Sequence, residues 1–360
     1  MSTPHFHALR VTDVRRETPD CVSLALKVPP ALADRFRYTQ GQYLNVRRQI
    51  GGAQVRRSYS ICSGLDDGEL RIAVKEVERG LFSGWANRGL APGMTLEVMP
   101  PEGRFFVPLE PAQSRHYVAF AAGSGITPVL SLARTILARE PGSRFTLVYG
   151  NRTLGSVIFN EALEDLKDRY MARFALYHVF SRDVQAVELF NGRVDGAKVG
   201  RFLDTLIAPE SIDEAFICGP ASMGDEIKAV LEARGVPAAH IHLERFGAPP
   251  PVAGAVPRKA RTETAGQKAN VTVIVDGVRF DLDLPEDGPS VLDAALKAGA
   301  DLPYACKAGV CCTCRARLVE GEVRMDANYT LEAAEVKAGY RLTCQSHPIT
   351  PRVVLDFDQR

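Results

Sequence analysis

The sequence predicts three domains of different fold class: an antiparallel β-barrel over residues 1–107, a doubly wound α/β domain over 108–246 and an α+β domain over 270–360. Short stretches of alternating apolar and polar residues, such as CVSLALKV and ELRIAVKEV, are broken by glycine and proline in the first part. Apolar runs followed by helical patterns, such as RFTLVYG and then FNEALEDLKDRY, fill the second part.

The third domain is predicted from local signals that follow a linker. Residues 247–269 are rich in proline, glycine, alanine and charge and show no apolar period, which is typical of an interdomain linker. The run VTVIVDGVRFDLDLP then predicts two strands joined by a tight turn at Asp276 and Gly277. Ser290 is positioned to cap a helix that Gly299 closes.

Composition excludes several classes of partner. The 44 basic and 43 acidic residues nearly cancel, so no electrostatic footprint for nucleic acid is present. The N-terminal segment MSTPHFHALR lacks the apolar core of a signal peptide, and we expect a cytoplasmic protein. The longest apolar run begins at Tyr117 but contains Gly123, Pro128 and Arg134, which favours a strand, a turn and a helix over a membrane span.

Four cysteines between residues 306 and 314 predict a metal cluster. Cys306, Cys311 and Cys314 form C-x4-C-x2-C and Cys344 follows later, which is the plant-type [2Fe-2S] spacing. A structural zinc site usually has two C-x2-C pairs, and a disulfide conflicts with a reducing compartment. Cys312 does not fit, because using it in place of Cys311 changes the spacing to C-x5-C-x1-C.

Two segments of the predicted barrel contain groups that suit a flavin. In RRSYSIC, Arg57 offers a guanidinium fork to a pyrophosphate, Tyr59 an aromatic face and Ser60 a hydroxyl. An ordinary solvated strand has the same residue types, so this segment alone is a weak indication. In GLFSGWA, Gly80 and Ser83 lead into a short helix whose N-terminus can hold phosphate.

The α/β domain contains two candidate nucleotide turns. AAGSGITPVLS places Gly123 to Pro128 between an apolar strand and a helix, where backbone N–H groups bind phosphates. The turn departs from G-x-G-x-x-G because Pro128 occupies the last position, and a simple glycine-rich connection is the alternative. FICGPASM places Cys218 at the carboxyl end of a strand, either at a ligand site or as a core thiol.

Taken together, RSYS, GLFS, GSGITP, CGP and the cysteine pattern make the chain resemble the ferredoxin-NADP reductase superfamily, in the branch with a C-terminal plant-type ferredoxin domain. The resemblance implies an FAD-binding barrel, an NAD(P)H-binding α/β domain and a β-grasp [2Fe-2S] domain. Electrons would pass from NADPH, or from NADH, through FAD to the cluster. NADPH is preferred by the resemblance.

The resemblance also implies roles at the flavin. The residues matching Arg57 and Ser83 hold its phosphates, Tyr59 packs on its ring and Ser60 approaches its N5. Phe246 matches an aromatic residue that covers the other ring face, although a hydrophobic anchor before the linker is a rival role. The full set expected at the FAD is Arg57, Ser58, Tyr59, Ser60, Val74, Lys75, Gly80, Leu81, Phe82, Ser83 and Phe246.

At the nicotinamide nucleotide, the resemblance assigns the phosphates to the glycine turn and the reactive ring to Thr127 and Cys218. Arg152, Ser181 and Arg182 are candidates for the 2′-phosphate of NADPH, since arginine pairs well with phosphate, but each is equally suited to a plain surface role. The full set is Gly123, Ser124, Gly125, Ile126, Thr127, Pro128, Arg152, Ser181, Arg182, Cys218, Gly219 and Pro220. The candidate catalytic residues are Ser60, Thr127 and Cys218.

Three functions are compatible with these assignments. Segments such as LVYGNRT, IHLERF and ADLPYACKAGVC are similar to those of reductase subunits that supply a di-iron oxygenase component acting on an aromatic ring. The reductase of another aromatic or alkyl oxygenase is the nearest alternative. An iron-sulfur redox sensor is less favoured, because no DNA-binding or signalling element is left over after the three domains.

Overall fold

The computed structural model describes residues 5–246 and 268–359. The chain divides into two compact units, one spanning Phe6–Phe246 and the other containing the described residues 268–359. The first unit holds an antiparallel barrel and a parallel α/β layer, and the second is a small α+β domain. The predicted fold class is confirmed.

The barrel is a six-stranded antiparallel sheet in the order β4-β3-β6-β1-β2-β5. A bridge between Ile61 and Ile72 joins the end of β4 to β5 and closes the sheet on itself. Its core contains mainly valine, leucine and isoleucine, which suit a pleated, half-buried surface. The elements are β1 (His7–Thr18), β2 (Cys21–Lys27), β3 (Tyr43–Ile50), β4 (Ala53–Ser60), β5 (Leu70–Lys75), α1 (Leu81–Gly89) and β6 (Thr95–Val98).

The α/β domain is an all-parallel sheet in the order β11-β10-β7-β8-β9, with helices on both faces. Its strands are almost continuously apolar because a parallel sheet is covered on both sides. The elements are β7 (His116–Ala122), α2 (Ile126–Arg139), β8 (Arg144–Asn151), α3 (Asn160–Arg169), β9 (Phe174–Phe180), α4 (Gly196–Thr205), β10 (Glu214–Gly219), α5 (Ala221–Ala233) and β11 (Ile241–Arg245).

The C-terminal domain is a five-stranded mixed sheet in the order β13-β12-β18-β14-β16, with β15 and β17 paired separately. Asp276 and Gly277 both have positive φ in the β12–β13 turn, and the Ser290 hydroxyl accepts the Asp293 N–H at the start of α6, as predicted. The elements are β12 (Ala269–Val275), β13 (Val278–Leu284), α6 (Val291–Lys297), β14 (Arg315–Glu320), β15 (Val323–Met325), α7 (Ala333–Lys337), β16 (Tyr340–Leu342), β17 (Ser346–Pro348) and β18 (Arg352–Asp356).

The predicted linker, 247–269, lies outside the described residues as far as residue 267, and β12 already begins at Ala269. The long apolar run from Tyr117 forms β7 and α2. Among residues 5–246 and 268–359, no helix is long and apolar enough to cross a membrane.

Candidate functional site

The two nucleotide turns meet where the strand order of the α/β sheet reverses. β7 and β10 are neighbours in the sheet, and their connections lead to helices on opposite faces, which opens a crevice at their carboxyl ends. A Cβ on Gly125 would lie 2.0 Å from the carbonyl oxygen of Cys218. Only glycine therefore allows the turn after β7 to touch the end of β10.

The turn after β7 presents a helix N-terminus to this crevice. Residues Gly123–Gly125 form a single 3-10 turn that continues into α2, and Gly123 has a φ of +53°. The Thr127 hydroxyl, 4% exposed, donates to the Ser124 carbonyl at 3.0 Å. The first turn of α2 lies wholly within the described residues and contains no acidic side chain. Its unpaired N–H groups and the helix dipole suit a phosphate.

Beside this turn, three polar groups from three strands converge. The Ser60 hydroxyl, at the end of β4, donates to Glu244 Oε1 at 2.9 Å, although the two residues are 184 positions apart. Glu244 is the register partner of Cys218 on the neighbouring strand β10. Ser60 and Cys218 are buried and Glu244 is half-buried, so hydroxyl, carboxyl and thiol form one polar cluster at the edge of the crevice.

The electrostatics of this cluster favour neutral groups. Burial raises the pKa of Glu244 to about 7, and the hydrogen bond from Ser60 opposes this shift. Burial also raises the pKa of the Cys218 thiol, and the nearby Glu244 carboxylate adds to the effect. Sequence reasoning missed Glu244, which lies in the segment IHLERF, because nothing local to that segment indicates its contact with Ser60.

The barrel side of the site is formed by β4. Arg57 is exposed and its Nη1 donates to the Arg56 carbonyl at 2.7 Å. The Ser58 hydroxyl donates to Asn45 Oδ1 at 2.7 Å. The Tyr59 ring packs 5.5 Å from the Phe82 ring, in a tilted arrangement that leaves it partly exposed. A guanidinium group suits the phosphates of a flavin nucleotide and an aromatic ring suits its flavin ring, and the end of β4 offers both.

The first turn of α1 faces the same side of the barrel. Ser83 Oγ accepts the Val77 N–H at 3.2 Å, which closes the turn before the helix, and a Cβ on Gly80 would lie 2.2 Å from that oxygen. This first turn also lies within the described residues and contains no acidic side chain. Phe82 is a core residue, as is Val74 on β5, so each can offer a cofactor only its backbone. Leu81 is 56% exposed.

Lys75, expected at the FAD, lies between the two cofactor regions. Its ammonium is 3.9 Å from the position that a Cβ on Gly123 would occupy, and 3.6 Å from Asp20 Oδ2. The barrel thus directs one cation toward the glycine turn of the α/β domain, where it suits a nucleotide phosphate.

The residues expected at the 2′-phosphate come together at the carboxyl ends of β8 and β9. The Arg182 N–H donates to the Arg152 carbonyl at 2.9 Å, and the Ser181 N–H donates to the Asn151 carbonyl at 3.0 Å. Both arginines and Ser181 are exposed. Two guanidinium groups on adjacent loops suit a phosphate monoester. Phe246 follows directly after β11 and is 45% exposed.

In the C-terminal domain the four predicted ligands lie as two pairs. The Cys311 thiol donates to Cys306 Sγ at 3.1 Å, and the Cys314 thiol donates to Cys344. In the described part of the chain, no three His, Cys, Asp or Glu side chains are grouped around one point as a site for a single metal ion would require. Two cysteine pairs suit a cluster of two irons better than a single tetrahedral ion.

Backbone donors surround these sulfur atoms. The hydrogen bond from Cys311 is the largest cause that lowers the pKa of Cys306, and the N–H groups of Ala308 and Val310 add to it. The Cys314 thiol and the Gly309 N–H lower the pKa of Cys344. Donors aimed at sulfur stabilise the negative charge of a bound cluster.

The loop reaches this geometry through two unusual backbone positions, and it leaves Cys312 on another side. Lys307 and Gly309 have positive φ, and a Cβ on Gly309 would lie 3.0 Å from the Ala327 carbonyl oxygen. Cys312 Sγ lies 3.1 Å from the Thr330 hydroxyl. Cys312 thus has a different hydrogen-bond partner from the four predicted ligands, and its exclusion from the cluster stays a prediction.

Comparisons with known proteins match all three domains. Residues 8–107 match the oxidoreductase FAD-binding domain, 120–229 the oxidoreductase NAD-binding domain and 273–348 the 2Fe-2S iron-sulfur cluster binding domain. One of the subunits of 1,2-phenylacetyl-CoA epoxidase from Escherichia coli is 46% identical over 355 residues, covering 99% of this chain and 98% of the relative. The chain belongs to the three-domain oxygenase reductases of the ferredoxin-NADP reductase superfamily.

Two further proteins match this chain over nearly its whole length. The ferredoxin reductase component of 3-ketosteroid-9-alpha-monooxygenase from Rhodococcus rhodochrous is 34% identical over 97% of this chain and 96% of its own length. Phthalate dioxygenase reductase, at 24% identity, has the same fold with a TM-score of 0.58 over 98% of both chains. As a three-domain oxygenase reductase, the chain is an oxidoreductase that uses FAD, a nicotinamide nucleotide and a [2Fe-2S] cluster.

Proposed function

We propose that this chain is the electron-supplying reductase of a di-iron oxygenase that epoxidises the aromatic ring of phenylacetyl-CoA. The observation that carries the proposal is the 46% identity with the Escherichia coli protein from 1,2-phenylacetyl-CoA epoxidase, which extends over nearly the whole of both chains.

When bound, the nicotinamide supplies a hydride, the flavin takes up both electrons and releases them singly, and the [2Fe-2S] cluster carries one electron at a time. The protein's own residues hold and orient these groups. Arg57 and Ser83 bind the flavin phosphates, and Tyr59 packs on its ring. The start of α2 binds the nicotinamide nucleotide phosphates, with Lys75 as an added cation.

At the junction of the two nucleotides, Ser60 and Cys218 line the space for the reacting rings, with Thr127 at the glycine turn. Glu244 holds the Ser60 hydroxyl in one orientation through the 2.9 Å hydrogen bond. Since Ser60 and Cys218 are buried, this junction excludes water from the path of the hydride. Phe246 covers the flavin face that Tyr59 does not.

Cys306, Cys311, Cys314 and Cys344 hold the cluster. The hydrogen-bonded pairs Cys306 with Cys311 and Cys314 with Cys344 support this proposal, since these four sulfur atoms would be the ones that hold the irons.

We infer NADPH as the electron donor from the position of Arg152 and Arg182 on adjacent loops. Two guanidinium groups recognise a 2′-phosphate, whereas the ribose of NADH offers only a hydroxyl there.

The test uses the Escherichia coli 1,2-phenylacetyl-CoA epoxidase, with its related component replaced by this chain. We expect NADPH-dependent consumption of phenylacetyl-CoA, which the Cys311→Ala variant fails to support. The proposal is wrong if the chain is inactive there but drives the oxygenase of the 3-ketosteroid system. Failure of the purified chain to reduce cytochrome c with NADPH or NADH would refute any reductase function.

A further inference from the structure

A buried polar stripe on α2 contacts the barrel. Thr127, Ser131 and Thr135 are four residues apart and therefore lie on one face of the helix. The side chains are 4%, 0% and 1% exposed, respectively. Buried hydroxyls need hydrogen-bond partners, and the partners of this stripe show what it does.

Two of the three hydroxyls bind the loop formed by residues 61–67. Ser131 Oγ donates to the Ser63 carbonyl at 2.7 Å. Thr135 Oγ1 accepts the Leu65 N–H at 3.2 Å while it donates to the Ser131 carbonyl at 2.8 Å. The stripe thus joins the helix that begins at the nucleotide turn to a loop of the barrel.

The 61–67 loop is the direct continuation of β4 beyond Ser60, and the barrel holds it firmly. Ile61 bridges to Ile72, and the Tyr38 hydroxyl donates to the Gly64 carbonyl at 2.8 Å. The Ser63 hydroxyl accepts the Arg71 N–H at 3.1 Å. A shift of this loop against α2 would therefore shift the end of β4 as well.

The loop and the helix also approach closely at Gly64, where an added Cβ would lie 2.9 Å from the Cβ of Arg134. Two ion pairs flank this contact, Arg134 with Asp67 at 2.6 Å and Arg139 with Asp66 at 2.8 Å. Both are solvent-accessible, and exposed ion pairs contribute little. The buried hydroxyls of Ser131 and Thr135 are the contacts that define the register.

We propose that Ser131 and Thr135 are positioning residues for hydride transfer. Through the 61–67 loop they align the end of β4, where Ser60 adjoins the flavin, with the start of α2, where Thr127 adjoins the nicotinamide. Reaction rates depend steeply on such alignment, because a misplacement of about 1 Å can lower a rate about 100-fold. The inference rests on the proposed roles of Ser60 and Thr127.

The test compares the Ser131→Ala and Thr135→Val variants with the intact holoenzyme. We expect flavin reduction by NADPH in a single turnover to slow about tenfold, while NADP⁺ affinity stays within about twofold. Hydrogen exchange of the Leu65 amide should accelerate, since its bond to Thr135 is lost. The long-wavelength charge-transfer absorption band of the complex between nicotinamide and flavin should weaken.

Two further variants serve as controls, and a third disturbs the same contact from the loop side. Thr135→Ser keeps the hydroxyl and should retain the wild-type rate. Thr205→Val removes a similar hydroxyl on α4, one that bonds the Arg201 carbonyl at 2.6 Å, and should change nothing. Gly64→Ala keeps all three hydroxyls of the stripe, but its Cβ would lie 2.9 Å from the Arg134 Cβ and 3.5 Å from Thr135 Oγ1. It should push the loop away from α2 and slow reduction in the same way.

Unchanged rates in Ser131→Ala, Thr135→Val and Gly64→Ala would overturn the proposal, provided that Ser60→Ala slows reduction. If Ser60→Ala also leaves the rate unchanged, the proposed roles at the flavin fall as well. Unaltered exchange at Leu65 in Thr135→Val would equally refute the contact on which the proposal depends.

Discussion

The nucleotide crevice of the first unit and the cysteine loop of the C-terminal domain differ in the groups expected to bind a cofactor: backbone groups in the crevice and side chains in the loop. At the crevice, the proposed phosphate-binding groups are backbone N–H groups, and Gly125 is required so that two turns can touch. In the cysteine loop, the side chains themselves are the proposed ligands, and backbone N–H groups donate to the sulfur atoms of Cys306 and Cys344.

This difference teaches which substitutions each region tolerates. A ligand side chain cannot be replaced without loss of the bound group, while its neighbours can vary. A backbone site tolerates changes of side chain but not an added Cβ where two chain segments touch.

The cysteine loop should separate sharply into ligands and one additional cysteine. Cys311→Ala should lose the [2Fe-2S] cluster and with it all electron transfer to cytochrome c, because the cluster would lose one of its four proposed cysteine ligands. Cys312→Ala should keep the cluster. Iron and sulfide analysis with the visible spectrum measures both. Loss of the spectrum in Cys312→Ala would show that the ligand register is wrong.

In the crevice, Gly125→Ala should be the most damaging single change. Its Cβ would meet the Cys218 carbonyl oxygen at 2.0 Å, so the turn must move away from β10. We expect kcat/KM for NADPH to fall by about 100-fold with FAD still bound. Gly200→Ala on α4 is the matched control, since its Cβ would meet nothing closer than Arg234 Nη2 at 3.9 Å. Equal activity of the two variants would contradict the close-contact argument.

Ser60→Ala should slow flavin reduction by about 10-fold to 100-fold, because a polar group at the reacting ring is lost. Stopped-flow measurement of the hydride-transfer step is the readout. Ser114→Ala, which removes an exposed hydroxyl bonded to the Gly142 carbonyl, should have no effect. A wild-type rate in Ser60→Ala would remove Ser60 from the site.

Arg182→Ala should raise KM for NADPH about tenfold and leave KM for NADH unchanged, because only NADPH has the 2′-phosphate. Steady-state kinetics with both nucleotides is the measurement. Comparable kcat/KM for NADPH and NADH in the unaltered protein would instead show that the arginines have a surface role.

The smallest effect concerns Glu244, whose folded-state pKa of about 7 lies above the unfolded value of 4.5. Between these pH values the folded state binds more protons than the unfolded state. The contribution of Glu244 to the free energy of unfolding is therefore largest below pH 4.5 and is lost as pH rises through 7. Glu244→Gln should reduce this decline. The thermal midpoint of the flavin-free protein at pH 5, 6, 7 and 8 measures it, and identical slopes would contradict the raised pKa.

Much of the fold was predictable because its signals are local. The Asp276–Gly277 turn and the Ser290 cap are where the sequence predicts them, since each depends on a few adjacent residues. The cysteine spacing likewise belongs to one short loop and Cys344. The polar stripe on α2 was not predicted, because its four-residue spacing gains meaning only from the barrel partners of Ser131 and Thr135.

The sequence by itself determined the order of the three domains and their cofactor classes, and it predicted the four cluster ligands, because these depend on local periodicity, turn chemistry and ligand spacing. Only the tertiary structure decided that Glu244 binds Ser60, that Lys75 reaches the glycine turn and that the α2 hydroxyls bind the 61–67 loop. These contacts join residues from different domains of the first unit. Their pairing follows from how the barrel packs on the α/β sheet. Because the paired residues are far apart in the sequence, no local sequence pattern predicts these contacts.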